Sequence, residues 1–256
     1  ALETLRSIRL GGIYDQLGGG IHRYSVDERW LVPHFEKMLY DQGLLILACI
    51  DAWQQSGDSF YGEMALDTAA YVTRKLTSDK GGFFCGEDAD SEGSEGTSYL
   101  WETNEVREQF PPDQASDIIR LFGMREEGNF EGRNILYLPE GLDDEVIRIC
   151  RKKLLPIREK RIQPHLDDKI ITAWNGLAIA ALARLARTSG RLDLAETATR
   201  GATFIREHLY KQNRLLRRWR QDDAAIPAFL EDYAFLAWGL LELYRHGSQQ
   251  RTWPGP

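Results

Sequence analysis

Four groups of residues have the types and spacing to do chemistry. The first lies in a glycine-rich segment, residues 11–33, which carries His22, Arg23, Tyr24 and Trp30. A histidine with a near-neutral pKa moves protons at a sugar carbon or ring oxygen, and an arginine holds a hydroxyl or a carboxylate. The same two side chains would equally pin the loop by hydrogen bonds. The second group is an acidic stretch, Gly86–Gly96, with Asp88 and Asp90 as hydrogen-bond acceptors or as a general acid/base and Glu87 as a binding residue. A solvated loop tip is the plain alternative. The third is Trp174-Asn175, an aromatic face for a sugar ring beside an amide that reads hydroxyls. The fourth is the pair Asp41 and Asp232, read as carboxylates facing one another across a shared mouth or as caps of their own turns.

Two metal readings are weaker. His34-x-Glu36 is read at the start of a helix, where residues two apart diverge, so a helix N-terminal cap and dipole partner is the better reading and no metal is expected; Glu36 is also kept among the ligand-binding candidates. Asp88, Asp90, Glu92 and Gly93 mimic the first half of a calcium loop, but its twelfth position is Tyr99 rather than a glutamate. No cofactor is expected.

These groups need elements to hold them. Apolar periodicity predicts helices over His34–Ser56 and Ser59–Leu76, joined by a Gly-Asp turn. Gly82–Cys85 and Thr97–Trp101 read as a β-hairpin with a long polar tip, an insertion over about 81–102. Short helices are expected at Thr103–Phe110 and Asp113–Phe122, a small strand at Asn134–Leu138, and a charged helix at Asp143–Lys160. Strong helices follow at Asp168–Ser189, Leu192–Tyr210 and Pro227–His246, with Asp168 and Lys169 expected to pair at the entry of the first. Asn213–Trp219 reads as extended, and 247–256 as an irregular tail.

The chain repeats itself. Shifted by 133 residues, Tyr40–Leu76 falls on Ala173–Leu209 without a gap, with ten of the 37 positions identical. The matches include Gly43/Gly176, Ser56/Ser189 and Gly57/Gly190. A weaker third copy places Asp41 on Asp232 and Leu45 on Leu236. Each unit is a two-helix hairpin with one nearly all-apolar helix and one amphipathic helix. Such units stack into a solenoid or a closed double ring. In a ring the N-terminal ends of the inner helices converge at one mouth, where exposed amides favour polar ligands.

The segments Tyr14–Trp30 and Val32–Asp41 resemble the YyaL/spermatogenesis-associated protein 20 family. So do Gly81–Phe84 with Glu87–Gly93, Asp168–Leu177, and Glu231–Leu236. The resemblance implies a mainly α fold, a partial (α/α)6 toroid of helical hairpins over 1–246 with a small β-hairpin insertion. It also implies similarity to N-acylglucosamine 2-epimerases and other six-hairpin sugar enzymes, and an accompanying thioredoxin-like domain as a possible partner.

Composition limits the remaining choices. The chain has 256 residues, 43% hydrophobic and 28% charged, so it can bury a core. Its net charge of −7 disfavours duplex nucleic acid and leaves small molecules and glycans as ligands. Three scattered cysteines give neither a zinc site nor a disulfide framework and suit a reducing, cytoplasmic setting. No apolar run reaches the ~18 residues of a membrane span. The chain opens without methionine on Ala1–Leu10, read as the last turns of a helix, so a piece of something longer is expected.

The combined expectation is a carbohydrate-active core, epimerase/isomerase-like or glycosidase-like, impaired if its wall is incomplete. His22, Asp41, Asp88, Asp90 and Asp232 are the catalytic candidates. Arg23, Tyr24, Trp30, Glu36, Glu87, Trp174 and Asn175 are the binding candidates. The rival is a non-catalytic module that holds a glycan or peptide.

Overall fold

The computed structural model describes residues 1–91 and 93–250. Its α-helices, among the described residues, are α1 (Leu2–Leu10), α2 (Leu39–Ser56), α3 (Ser59–Lys75), α4 (Thr103–Arg107), α5 (Pro112–Leu121), α6 (Asp144–Arg158), α7 (Thr172–Ser189), α8 (Leu192–Phe204) and α9 (Leu230–Gln250). The fold class is mainly α. The chain forms two compact units, each made of two stretches of sequence: 1–37 with 87–165, and 38–86 with 166–256. The insertion expected at 81–102 is thus divided between them.

The second unit holds the helical hairpins of the partial (α/α)6 toroid. The repeat is kept to the residue: α2 and α7 both run 18 residues and both stop at a glycine in the left-handed region, Gly57 at φ 71° and Gly190 at φ 76°. α3 and α8 begin at the equivalent positions, Ser59 and Leu192. The inner helices pack in order, α2 on α7 and α7 on α9. The repeated glycines explain how. A Cβ on Gly43 would lie 3.4 Å from the backbone of Leu177, and Gly239 leaves only 2.8 Å to the carbonyl oxygen of Gly176. Gly176 itself presses on the backbone of Phe235 and Leu236, so α7 and α9 touch backbone to backbone. α7 is buried on nearly every side, which is why its sequence shows no polar stripe.

Several boundaries differ from expectation. α7 starts at Thr172 because Ile170–Ile171 is a strand, paired with Arg214–Arg220, which in turn pairs with Asp223–Pro227. The expected Asp168–Lys169 pair does not form: Asp168 takes Arg220 at 2.5 Å and Lys169 takes Asp167 at 3.1 Å. After α8 the chain widens into a π-helical turn, Ile205–Leu209. α9 continues through Gln250, so 247–250 is helical; the rest of the expected tail, 251–256, lies outside the described residues.

The first unit has a core of Trp101, Phe110, Ile118, Phe122, Ile147 and Leu154 around α4, α5 and α6. Pro156 sits inside α6 without ending it. Its short strands correct the expected hairpin. Tyr24–Ser25 pairs with Pro33–His34, and Asp90–Ser91 pairs with Ser94–Glu95. Thr97–Trp101 is instead irregular, with Trp101 bridged to Asn134. The expected strand at Asn134–Leu138 is reduced to that bridge.

Candidate functional site

Residues 33–39 are the key local surprise. Up to Met38 they are extended, not helical, and through Leu39, the first residue of α2, they alternate strictly between buried (Pro33, Phe35, Lys37, Leu39) and half-buried (His34, Glu36, Met38). Period-two alternation puts His34 and Glu36 on the same side, where a helix would separate them. His34 Nε2 accordingly lies 3.4 Å from Glu36 Oε2. The helical reading of this segment is corrected, and with it the argument that the two side chains diverge.

Neighbouring loops add groups to this face. Asp27 accepts from the amides of Arg29, Leu31 and Val32 and so closes the turn between Tyr24–Ser25 and Pro33–His34. Those three amides hold its carboxyl below the usual range, against the upward push of its partial burial. Trp30 stands in that turn, half-buried, at φ 62°. The strand register sets Tyr24 opposite His34, and their rings stack at 4.8 Å and 21°. Arg23 Nη1 donates to Glu36 Oε2 at 2.8 Å. From the acidic hairpin, Glu95 Oε1 accepts from the Phe35 amide at 3.0 Å and lies 2.7 Å from His34 Nδ1. A Cβ on Gly96, at φ 74°, would collide with the Phe35 ring, so only glycine lets the hairpin approach this closely. His34 thus stands between two carboxylates, beside an arginine and an exposed tyrosine. The sequence pointed to Arg23, Tyr24 and Glu36; His34 was weighed only as a metal ligand or helix cap, and Glu95 was not singled out. No local signal marked them, because the alternation of residues 33–39 is one of burial and not of residue type.

Beneath this face lies a buried ionic cluster. Asp15 receives Lys37 Nζ at 2.6 Å and both Arg158 terminal nitrogens at 2.7 and 2.8 Å. Burial alone would raise the Asp15 pKa, but the charges of Arg158 and Lys37 hold it well below the carboxylate range. His22 is 2% exposed, with Nδ1 2.9 Å from the Phe35 carbonyl oxygen. Its ring meets Phe35 and Tyr99 edge-on at 5.3 and 4.8 Å. Burial, then the positive charge of Lys37, pushes its pKa down to about 3. His22 is therefore neutral at pH 7 and pins the loop. Glu87 is buried, whereas Asp88 and Asp90 are exposed, Asp88 accepting from the Ala89 amide at 2.8 Å. Glu92, part of the calcium-loop reading, lies outside the described residues.

The second unit carries the other candidates. The entries of its inner helices meet: Tyr40 and Trp174 pack edge-on at 4.8 Å, and Asp232 Oδ1 accepts from the Ala173 amide at 2.9 Å. Trp174 keeps part of its ring exposed. Asp232 is fully buried; its other oxygen accepts from the Phe229 amide at 2.8 Å and from Arg217 at 3.1 Å. It caps two helix entries rather than facing a partner carboxylate. Asp41 sits in the first turn of α2, half-buried. Asn175 is fully buried and clamps Phe83, accepting from its amide at 2.8 Å and donating to its carbonyl oxygen at 2.9 Å. Its remaining N–H donates to the Ile171 carbonyl oxygen at 3.0 Å, so no donor is left for a ligand. Among the described residues, no group of three or more His, Cys, Asp or Glu is arranged to hold a metal ion, and no helix is long and apolar enough to cross a membrane.

No family model matches the chain. Human spermatogenesis-associated protein 20 is 37% identical over 301 aligned residues, which cover 99% of this chain and 38% of that protein. An uncharacterized protein of Caenorhabditis elegans is 29% identical over 94% of this chain and 39% of its own length. The chain thus spans about two-fifths of the curated relatives it matches. Among solved structures, the unsaturated glucuronyl hydrolase of Bacillus sp. GL1, responsible for the degradation of glycosaminoglycan, shares the fold at a TM-score of 0.52. That likeness has 16% identity and covers 95% of this chain and 48% of the hydrolase. Aligned with the human protein along 99% of its length, the chain belongs to the spermatogenesis-associated protein 20 family.

Proposed function

We propose that the chain is part of a carbohydrate-active enzyme and that His34, with Glu36 and Glu95, is its proton-transfer group. The observation that carries this reading is the placement of the His34 imidazole, with Nδ1 2.7 Å from one carboxylate and Nε2 3.4 Å from another, on a face that remains open. A carboxylate on one ring nitrogen orients the imidazole, and the other nitrogen then exchanges a proton with a substrate. Arg23 and Tyr24 are the binding groups beside it, and Glu87, Asp88 and Asp90 belong to the same unit. In the other unit the Tyr40–Trp174 pair offers an aromatic surface for the apolar face of a sugar. Proton transfer at a ring carbon would make the reaction an epimerisation or isomerisation. Protonation of a glycosidic oxygen would make it a hydrolysis.

The test is an NMR screen of N-acylhexosamines and reducing disaccharides, read for binding and for anomeric or C2 exchange. His34→Gln should abolish turnover while leaving a bound sugar detectable. Full turnover in His34→Gln would overturn the reading. A second reading, a glycan- or peptide-holding module, draws on the internal use of His22, Asn175 and Asp232, whose polar groups serve the fold. Saturable binding that is unchanged by His34→Gln, with no turnover of any sugar, would favour it.

A further inference from the structure

The first unit contains a hollow of about 20 Å³ beside its buried ionic cluster, with Asp15, Gln16, His22, Tyr99 and Arg158 among its walls. These polar residues differ in what they have left to offer. Asp15 is saturated: its two oxygens accept from Lys37, from both terminal nitrogens of Arg158 and from the amides of Leu17 and Gly18. Gln16 is spent on Arg9 and on the Gly11 carbonyl oxygen. His22 is not. The Phe35 carbonyl oxygen can only accept, so the Nδ1 that meets it at 2.9 Å carries the ring proton. Nε2 is then a lone pair on a side chain only 2% exposed, and no group among the described residues donates to it. The Tyr99 ring meets the His22 ring edge-on at 4.8 Å, and its hydroxyl makes no hydrogen bond to another described residue. Burial, then the Glu87 charge, pushes the Tyr99 pKa well above its usual value, so the phenol keeps its proton to donate.

A buried acceptor without a donor is costly, and native interiors rarely keep one. The unmet lone pair of His22 therefore calls for a donor from outside the chain, and size and charge select it. One water needs about 10–15 Å³, so this hollow admits one molecule of that size and no sugar, nucleotide or carboxylic acid. The charges around it balance, Lys37 and Arg158 against Asp15 and Glu87, so the site asks for no ion. What remains is a small neutral molecule able to donate to an imidazole and accept from a phenol at once. Arg158 has further N–H groups beside those it gives Asp15, and its guanidinium lies 5.1 Å from the Tyr99 ring centre.

We propose that the hollow is a binding site for a single structural water molecule, which donates to His22 Nε2 and accepts from the Tyr99 hydroxyl. The water ties the glycine-rich segment 11–33 to Tyr99 and holds His22 in its Nδ1–H form. His22 then serves the fold through both ring nitrogens. The site is separate from the proposed sugar chemistry and stands or falls without it.

The test uses the full 256-residue chain. A high-resolution crystal structure should show one ordered oxygen within about 2.5–3.2 Å of both His22 Nε2 and the Tyr99 hydroxyl. Nitrogen-15 NMR at pH 7 should find His22 neutral, with its proton on Nδ1. Oxygen-17 relaxation dispersion sees long-lived water directly. In Tyr99→Phe, which keeps the ring and removes one partner, it should lose one such molecule or find it exchanging at least about tenfold faster. Three results would each overturn the proposal. One is well-defined density in which no atom bridges the two groups. Another is a His22 ring protonated on Nε2 at pH 7, which needs no donor. The third is a long-lived water population that Tyr99→Phe leaves unchanged. The first two are read on the parent chain and do not depend on whether the variant folds.

Discussion

His22 gives the sharpest prediction, because its chemistry and its burial pull in opposite directions. Burial and the adjacent Lys37 charge lower its pKa from an ordinary 6.5 to about 3 in the folded chain. Between those two values the unfolded chain binds a proton that the folded chain refuses. Stability therefore rises with pH across this window and is lost as pH falls from 6.5 towards 3. At 1.36 kcal/mol per unit, the full loss is about 5 kcal/mol. Between pH 6.5 and 4.5 it is about 2.7 kcal/mol. His22→Asn cannot titrate but keeps an N–H for the Phe35 carbonyl. Its stability at pH 7 should lie below that of the parent, because the ring contacts with Phe35 and Tyr99 are lost. The gap should close as the solution is acidified, since only the parent carries the protonation penalty. The assay is urea unfolding at a series of pH values, read by hydrogen exchange at residues 13–24 so that the first unit is followed on its own. Parent and variant curves that stay parallel from pH 7 to 4.5 would refute the reasoning. So would a His22 ring whose NMR resonances titrate above pH 5.

Other predictions concern packing and charge. Asp15→Asn leaves Lys37 and Arg158 facing one another in the interior and should cost about 3–5 kcal/mol. Adding Lys37→Met should restore part of that loss, and a double-mutant cycle by urea unfolding checks the sign. Gly176→Ala forces α7 away from α9 and should cost about 1–3 kcal/mol. Gly43→Ala, whose new Cβ meets Leu177 at an ordinary 3.4 Å, should cost far less, and thermal melts of the two variants make the comparison. Asn175→Ala strands the Phe83 amide and carbonyl inside the core, at about 1–3 kcal/mol for each group. Exchange of the Phe83 amide should accelerate in that variant while α5 stays protected.

The two helical hairpins and their turns were legible in the sequence because they rest on local signals. The 133-residue repeat marked α2 with α3 and α7 with α8, and the Ser-Gly steps at 56–57 and 189–190 marked the turns. Gly43 and Gly176 carried the packing as well, since a glycine repeated in mid-helix has little local reason to be there. The functional side chains were harder. Apolar residues 35, 38 and 39 fit a helix, and nothing local opposed that reading. The strand over 33–34 and the extended chain up to Leu39 exist because Lys37 has Asp15 and the Gly19 carbonyl oxygen to meet inside, partners 22 and 18 residues away along the chain. That long-range pairing turned His34 and Glu36 to one side and brought Glu95 to them. It also settled which polar residues serve the fold. A sequence names Asn175, Asp232 and His22 as polar, but only tertiary structure decides whether water or a buried backbone group meets them, because burial depends on what the rest of the chain packs around them.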